Sequence, residues 1–469
     1  MKLQVFFLGS GIFLTTLSAF NTAWAGKYLL QHRPTPTQSA HVQLEVRGHL
    51  LIDGKPASKT ASKTPASEGG VEKAAQPEPK KLPLTIDGDL KYGQRLLPDN
   101  QGRRSAVRHY KENHAKVTVD GRLFQPQLQD QHRLIHVDVE GERVRFRSLR
   151  GPLSREELDL VEVQADPLLL HRLLPGEEVE VGAEWTIDGA AAAPIFGLDA
   201  TYSAGLQAEL KEVKQGVARI LIHGPLDGAS EGVPSRIDCQ AELTFNVATR
   251  QILMFDLEFS EQRSISGGQP GIEAKSHLRV TLRDAPVPAE LQDDAIGKIG
   301  DVGSAELLRY RAPKGEFVLM HRPQWRVVAD SPKQSTLRLL ESGDVIAQGN
   351  LSKLPKLPAG EQLTLEVFAE DVRKTLEKLE GEVAQVEEST LGADLRVLRV
   401  IGLGKVQDID VQWVYLHLSD DHGNRVSCVF TLEKKQVEKF EGEDLALLGG
   451  LEFVTEAAQK PAQKERVQK

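Results

Sequence analysis

Three arginines at alternate positions are the side chains in this sequence best placed to do chemistry. Arg143, Arg145 and Arg147 interleave with Val144, Phe146 and Ser148, a period of two that predicts a strand carrying three guanidinium groups on one face. Arg104 and Arg108 lie close upstream, with Arg103 and Lys111 beside them. Guanidinium groups pair well with carboxylate or phosphate. Arg143, Arg145, Arg147, Arg104 and Arg108 are therefore the candidate binding set for an anionic ligand or partner. The competing reading is a solvated sheet face balanced by Glu140, Glu142, Glu156 and Glu157.

The remaining motifs lose their chemistry in context. Gly228-Ala229-Ser230-Glu231-Gly232 matches the G-x-S-x-G nucleophile elbow, which needs a strand before it and a helix after it. Here Val233-Pro234-Ser235 leads into an alternating strand from Ile237, so the segment is read as a hairpin loop. Gly402-Leu403-Gly404-Lys405 is a fragment of a phosphate loop without the spacing or the helix, and is read as a turn. His132 and His136 are placed on one face of a strand, but zinc needs a third or fourth ligand and none is evident nearby. His109 and His114 sit among Arg and Lys, which repel a cation. Asp420, His422 and Asn424 imitate the start of a calcium loop whose twelfth position is Thr431 instead of Glu, so a turn is expected. Trp185, Trp325 and Trp413 are assigned to core packing. No catalytic residue, metal or cofactor is assigned.

The elements that must position these residues begin after an export signal. Met1-Lys2, the apolar run Leu3 to Phe20 and Ala23-Trp24-Ala25 predict cleavage before Gly26, giving a periplasmic or extracellular protein. Removing 25 of 469 residues leaves 444, enough for two or three domains. No later run reaches the roughly 18 apolar residues of a membrane span, so no transmembrane anchor is expected after cleavage. The net charge of −9 argues against nucleic acid as a partner. Cys239 and Cys428, far apart in the chain, are read as buried free thiols.

Residues 26–284 read as a β-rich domain. Val42, Leu44 and Val46 alternate in a first strand, and Leu82 to Ile86 resumes the pattern after a disordered loop at about 53–81, making one long-tipped hairpin. Further alternating runs follow from Lys116 to Arg283. They are interrupted by a helix with a Ser154/Glu157 capping box and a short helix at Leu168 to Leu174. A linker at 285–310 leads to strands near Phe317, Trp325, Leu337 and Val345, then a helix from Thr364 with Phe368, Val372, Leu376 and Leu379 on one stripe. Strands from Leu395, Val411 and Val426 and a last helical stretch near Gln436 to Leu448 complete a domain at 311–455, followed by a polar tail, 456–469. The fold class is α+β, mostly antiparallel β: a large β-meander, sandwich or half-barrel, followed by a smaller α/β/α sandwich.

That smaller domain resembles the PsbP-like α/β/α sandwich, named for the extrinsic proteins of photosystem II. The likeness is carried by Gln324-Trp325, the helix from Thr364, Gln412-Trp413-Val414-Tyr415 and Asp420-Asp421-His422-Gly423-Asn424. Leu173-Leu174-Pro175-Gly176 leading into Val181-Gly182-Ala183-Glu184-Trp185 resembles an uncharacterised family of exported bacterial proteins, which implies no catalytic residue. The expectation is a non-enzymatic binding or scaffold protein of the cell envelope, holding a small apolar or anionic ligand in the β-rich domain or meeting a protein partner. The alternative is an exported hydrolase with catalytic groups assembled from distant loops.

Overall fold

The computed structural model describes residues 26–52, 78–98, 104–141, 143–266, 269–297, 306–314, 316–358, 360–392 and 394–454. The export signal, most of the loop at about 53–81, part of the linker at 285–310 and the polar tail lie outside the described residues, as do Arg103 and Glu142.

The chain is mostly antiparallel β, in large open sheets, with no closed barrel among the described residues. In spatial order the largest sheet runs Arg143–Ser148, Leu134–Glu140, Ser105–Val119, Lys80–Leu96, Thr37–Ile52, Gly271–Asp284, Gln251–Arg263, Val233–Asn246, Val217–Ser230, Gln207–Lys214 and Glu184–Thr186. Thr37–Ile52 pairs with Lys80–Leu96 out to Ile52 opposite Lys80, so strand pairing includes Lys80 and Lys81, which the sequence reading put in the loop. Ser105–Val119, with Arg108, Lys111, Lys116 and two histidines, is also a strand. Its polar composition hides it from a search for apolar alternation. Residues 153–198 supply the apolar side chains that cover the sheet: Leu153, Leu158, Leu170, Leu173, Ile195 and Phe196 share one continuous core with Ile135, Tyr110, Phe245 and Phe255. The capping box forms as Ser154 and Glu157 demand. The second short helix is a single 3-10 turn, Leu170–Leu173.

Beyond it, seven antiparallel strands order as Trp325–Asp330, Ser335–Glu341, Asp344–Leu354, Arg425–Glu433, Ile409–Ser419, Leu395–Val406 and Glu382–Leu391. Alternation along Ile409–Ser419 sends Trp413 to one side, where Val372 and Leu376 of helix Leu365–Glu377 cover it. Val414 and Leu416 face the other side, with Trp325, Phe430, Phe440 and Leu447. Gly402-Leu403-Gly404 is not a turn: it lies inside Leu395–Val406. The helix and Trp413 approach so closely that a Cβ on Gly402 would stand 2.6 Å from Leu376, and one on Gly404 2.8 Å from Trp413.

Candidate functional site

The end strand of the large sheet, Arg143–Ser148, forms one wall of a cleft of about 1480 Å³. Helix Arg155–Val161, the Pro194 to Tyr202 segment and the Ala229–Gly232 hairpin tip complete that side. Met320, Arg322, Arg326 and Leu339 to Ser342 of the seven-stranded unit face them.

Side-chain contacts bridge the two units beside the cleft. Arg326 pairs with Glu231, and Arg155 donates to the Pro323 carbonyl oxygen at 2.9 Å. Between them Glu231 and Gly232 turn with φ of 49° and 76°, a tight hairpin between Val217–Ser230 and Val233–Asn246. Ser230 is therefore the last residue of a strand, where its hydroxyl accepts from Arg263 at 3.2 Å, and no helix follows it. The nucleophile-elbow geometry is absent. A Cβ on Gly232 would run into the Ser342 backbone, so glycine is required there by contact as well as by φ.

Carboxylates on the cleft wall are perturbed. Glu162, at the C-terminal cap of helix Arg155–Val161, reaches the cleft's solvent but is enclosed by its walls. That enclosure pushes its carboxyl up to about 7, with Arg155 pulling the other way and Asp159 and Glu231 reinforcing the rise. Asp159, which accepts from Arg155 at 3.2 Å, is raised for the same first reason. Glu306, 3.5 Å from Arg145, is raised by burial against the pull of Arg145 and Arg147.

The five arginines divide between the two faces of the sheet. Register places Arg143, Arg145 and Arg147 opposite Glu140, Asp138 and His136. Arg147 donates to Asp138 at 2.6 Å and approaches His136 at 3.3 Å. Arg145 pairs with Glu140 and, at 3.4 Å, with Asp138. Arg143 is 68% exposed and stands 3.9 Å from Asp199. Arg108 is on the opposite face, sealed in the core, gripping Asp166 with bonds of 2.7 and 2.8 Å. Its guanidinium lies 4.8 Å over the Tyr92 ring and donates to Gln94 at 2.8 Å. Burial opposes that charge, but Asp166 more than offsets it and holds the group protonated. Arg104 stands beside His32 and His171, away from the cleft lining. Burial first, and Arg104 second, drive those imidazoles down to about 4 and about 3. Alternation along Ser105–Val119 explains the division, since positions 104 and 108 share a parity opposite to the face that carries Arg143, Arg145 and Arg147.

His132 and His136 do not share a strand face. His132 sits in a 3-10 turn, and its Nδ1 meets Glu157 at 2.9 Å. His136 faces Arg147. The Asp420 carboxylate accepts from the backbone N–H groups of His422 and Asn424 and from the Asn424 amide, which makes it an Asx turn. Among the described residues no group of three or more His, Cys, Asp or Glu is arranged for a metal ion. Glu162, Asp159, Glu231 and Arg326 were missed in the sequence, where no local signal marks them. Asp159, Glu162 and Glu231 belong to the large-sheet unit, and Arg326 joins them from the seven-stranded unit.

No family model matches the chain, and no curated protein sequence matches it. Among solved structures, one from Bacteroides thetaiotaomicron is similar over 32% of this chain, at 13% identity and a TM-score of 0.23; the match spans about half (49%) of that protein. The solution structure of cyanobacterial PsbP from Synechocystis is similar over 34% of this chain and 98% of its own, at 14% identity and a TM-score of 0.25. The MucA/MucB complex of Pseudomonas aeruginosa aligns with 89% of this chain and 94% of its own, at 12% identity and a TM-score of 0.16. At these values the likenesses carry no argument about site or function.

Proposed function

We propose that this is an exported, non-enzymatic binding protein of the cell envelope, with its ligand held in the cleft between the large open sheet and a C-terminal PsbP-like sandwich. The observation that carries this reading is the cleft itself. At about 1480 Å³ it exceeds the roughly 300–1,000 Å³ of ordinary small-molecule pockets, and charged side chains of both signs line it. The side chains of residues 153–198 fill the space over the sheet that an apolar ligand would need, which supports a ligand at the polar mouth. Purification from an envelope fraction followed by mass spectrometry under native and denaturing conditions tests the reading. A discrete extra mass that is lost on denaturation, and that is absent from an Arg143→Glu/Arg145→Glu variant, supports it. Equal masses in both conditions overturn it.

One observation favours a second reading. Glu162 near neutrality, with Asp159 and Glu231 close enough to influence it, is the separation of carboxylate environments that acid–base hydrolysis uses. On that reading Glu162 donates the proton and an ionised neighbour activates water. Turnover of an envelope polysaccharide with an alkaline limb near pH 7, abolished by Glu162→Gln, supports it. No turnover across a polysaccharide and ester panel removes it.

A further inference from the structure

Resting on the cleft-binding reading, we propose that the Arg143–Ser148 edge takes an extended segment of a partner protein as an added strand, with apolar and acidic side chains alternating along that segment.

The backbone sets the geometry. Leu149 N–H donates to the Leu134 carbonyl at 3.0 Å, while on the far flank of the same strand Val139 N–H donates to the Arg104 carbonyl at 2.9 Å. In an antiparallel ladder hydrogen-bonding positions alternate. His136, Asp138 and Glu140 therefore bond toward the edge strand, and their partners Arg147, Arg145 and Arg143 bond back. The N–H and C=O groups of Val144, Phe146 and Ser148 point the other way, into the cleft, where no backbone bond from a described residue meets them. This is a row of donors and acceptors about 20 Å long at ~3.3 Å per residue, the template for strand addition.

Side chains choose the sequence of the added strand. On one face its residues would lie beside Arg143 and Arg145, which favours Glu or Asp. On the other they would lie beside Val144 and Phe146, which favours apolar groups. Tyr202, 66% exposed on the same side of the cleft, offers an aromatic anchor. The strand has no Pro, no Lys and no register shift to blunt it. Arg143, 68% exposed, is the charge on this edge most open to an acidic side chain of the added strand.

The test uses the whole mature protein and a synthetic hexapeptide alternating Glu and Val, with binding read by fluorescence anisotropy. Val144→Pro deletes one cleft-facing N–H without touching the ladder, a position an edge strand tolerates. The expected result is an unchanged melting temperature and about tenfold or more weaker peptide binding, from the lost backbone hydrogen bond. Should Val144→Pro fail to fold, the same loss must follow with the wild-type protein when the peptide is N-methylated on the bonds that face the strand. Equal binding of the methylated and plain peptides, or by Val144→Pro and wild type, overturns strand addition. A co-purifying small molecule with no peptide binding overturns strand addition and leaves the cleft reading standing. Neither a co-purifying mass nor peptide binding overturns both.

Discussion

Arg108 and Arg145 stand two strands apart in one sheet, and they serve opposite ends. Arg108 is enclosed by Tyr92, Phe146 and Asp166 and has no route to solvent. Arg145 and its neighbour Arg143 line an open cleft, with partners at 3.4 Å or longer apart from Glu140. Parity along the strand, and not residue type, decides which arginine becomes structure and which remains available.

The contrast breaks most visibly from the buried side. Arg108→Met leaves Asp166 charged in the core without its guanidinium, with only the Leu168 N–H still donating to it, and should cost about 3–5 kcal/mol in urea unfolding. Arg108→Met combined with Asp166→Leu should recover most of that loss, because the desolvated charge disappears with its partner. Ser154→Ala, which removes the cap from the helix that carries Asp159 and Glu162 to the cleft, should cost about 1 kcal/mol in the same assay.

The cleft side sharpens the comparison through pH. The Glu162 carboxyl moves from 4.5 to about 7 in the fold, so between those values the folded form keeps a proton that the unfolded chain releases. Stability therefore falls as pH rises through this window, and Glu162→Gln should flatten that slope in melting curves recorded from pH 4.5 to 8. The slope should be shallow, since solvent reaches the group. The smallest effect belongs to Arg143→Ala, within about 0.5 kcal/mol in stability because the side chain is 68% exposed. Loss of the ligand mass with unchanged stability would separate the two arginine classes. A stability loss as large as that of Arg108→Met would erase the distinction.

What could be read in the sequence follows the range of the interaction. Alternation at Arg143 to Ser148 and the Ser154/Glu157 cap are local, and both are legible within a few residues. Arg108 looked like one more member of a basic cluster because its partner Asp166 lies 58 residues on. Gly402 and Gly404 read as a turn because glycine marks turns, whereas here they make room for Leu376 and Trp413. Glu157 was counted as a surface charge balancing the arginines. It is buried, accepting from Ser154 N–H and Gln129 N–H and meeting His132. The cleft residues were invisible for a stronger reason, since each wall belongs to a different unit and neither wall alone is a site.

The contact between Gly232 and the Ser342 backbone has a mechanical consequence. Val217–Ser230 and Val233–Asn246 pair without interruption from Val217 opposite Asn246 to the tip, so the hairpin is a stiff arm some fourteen residues long. Its end bears on the turn between Ser335–Glu341 and Asp344–Leu354 with no side chain between the two backbones. The arm acts as a strut that fixes how near its tip the seven-stranded unit can come. A wedge as small as a methyl group at position 232 would lengthen the strut and reset the width of the cleft from outside it.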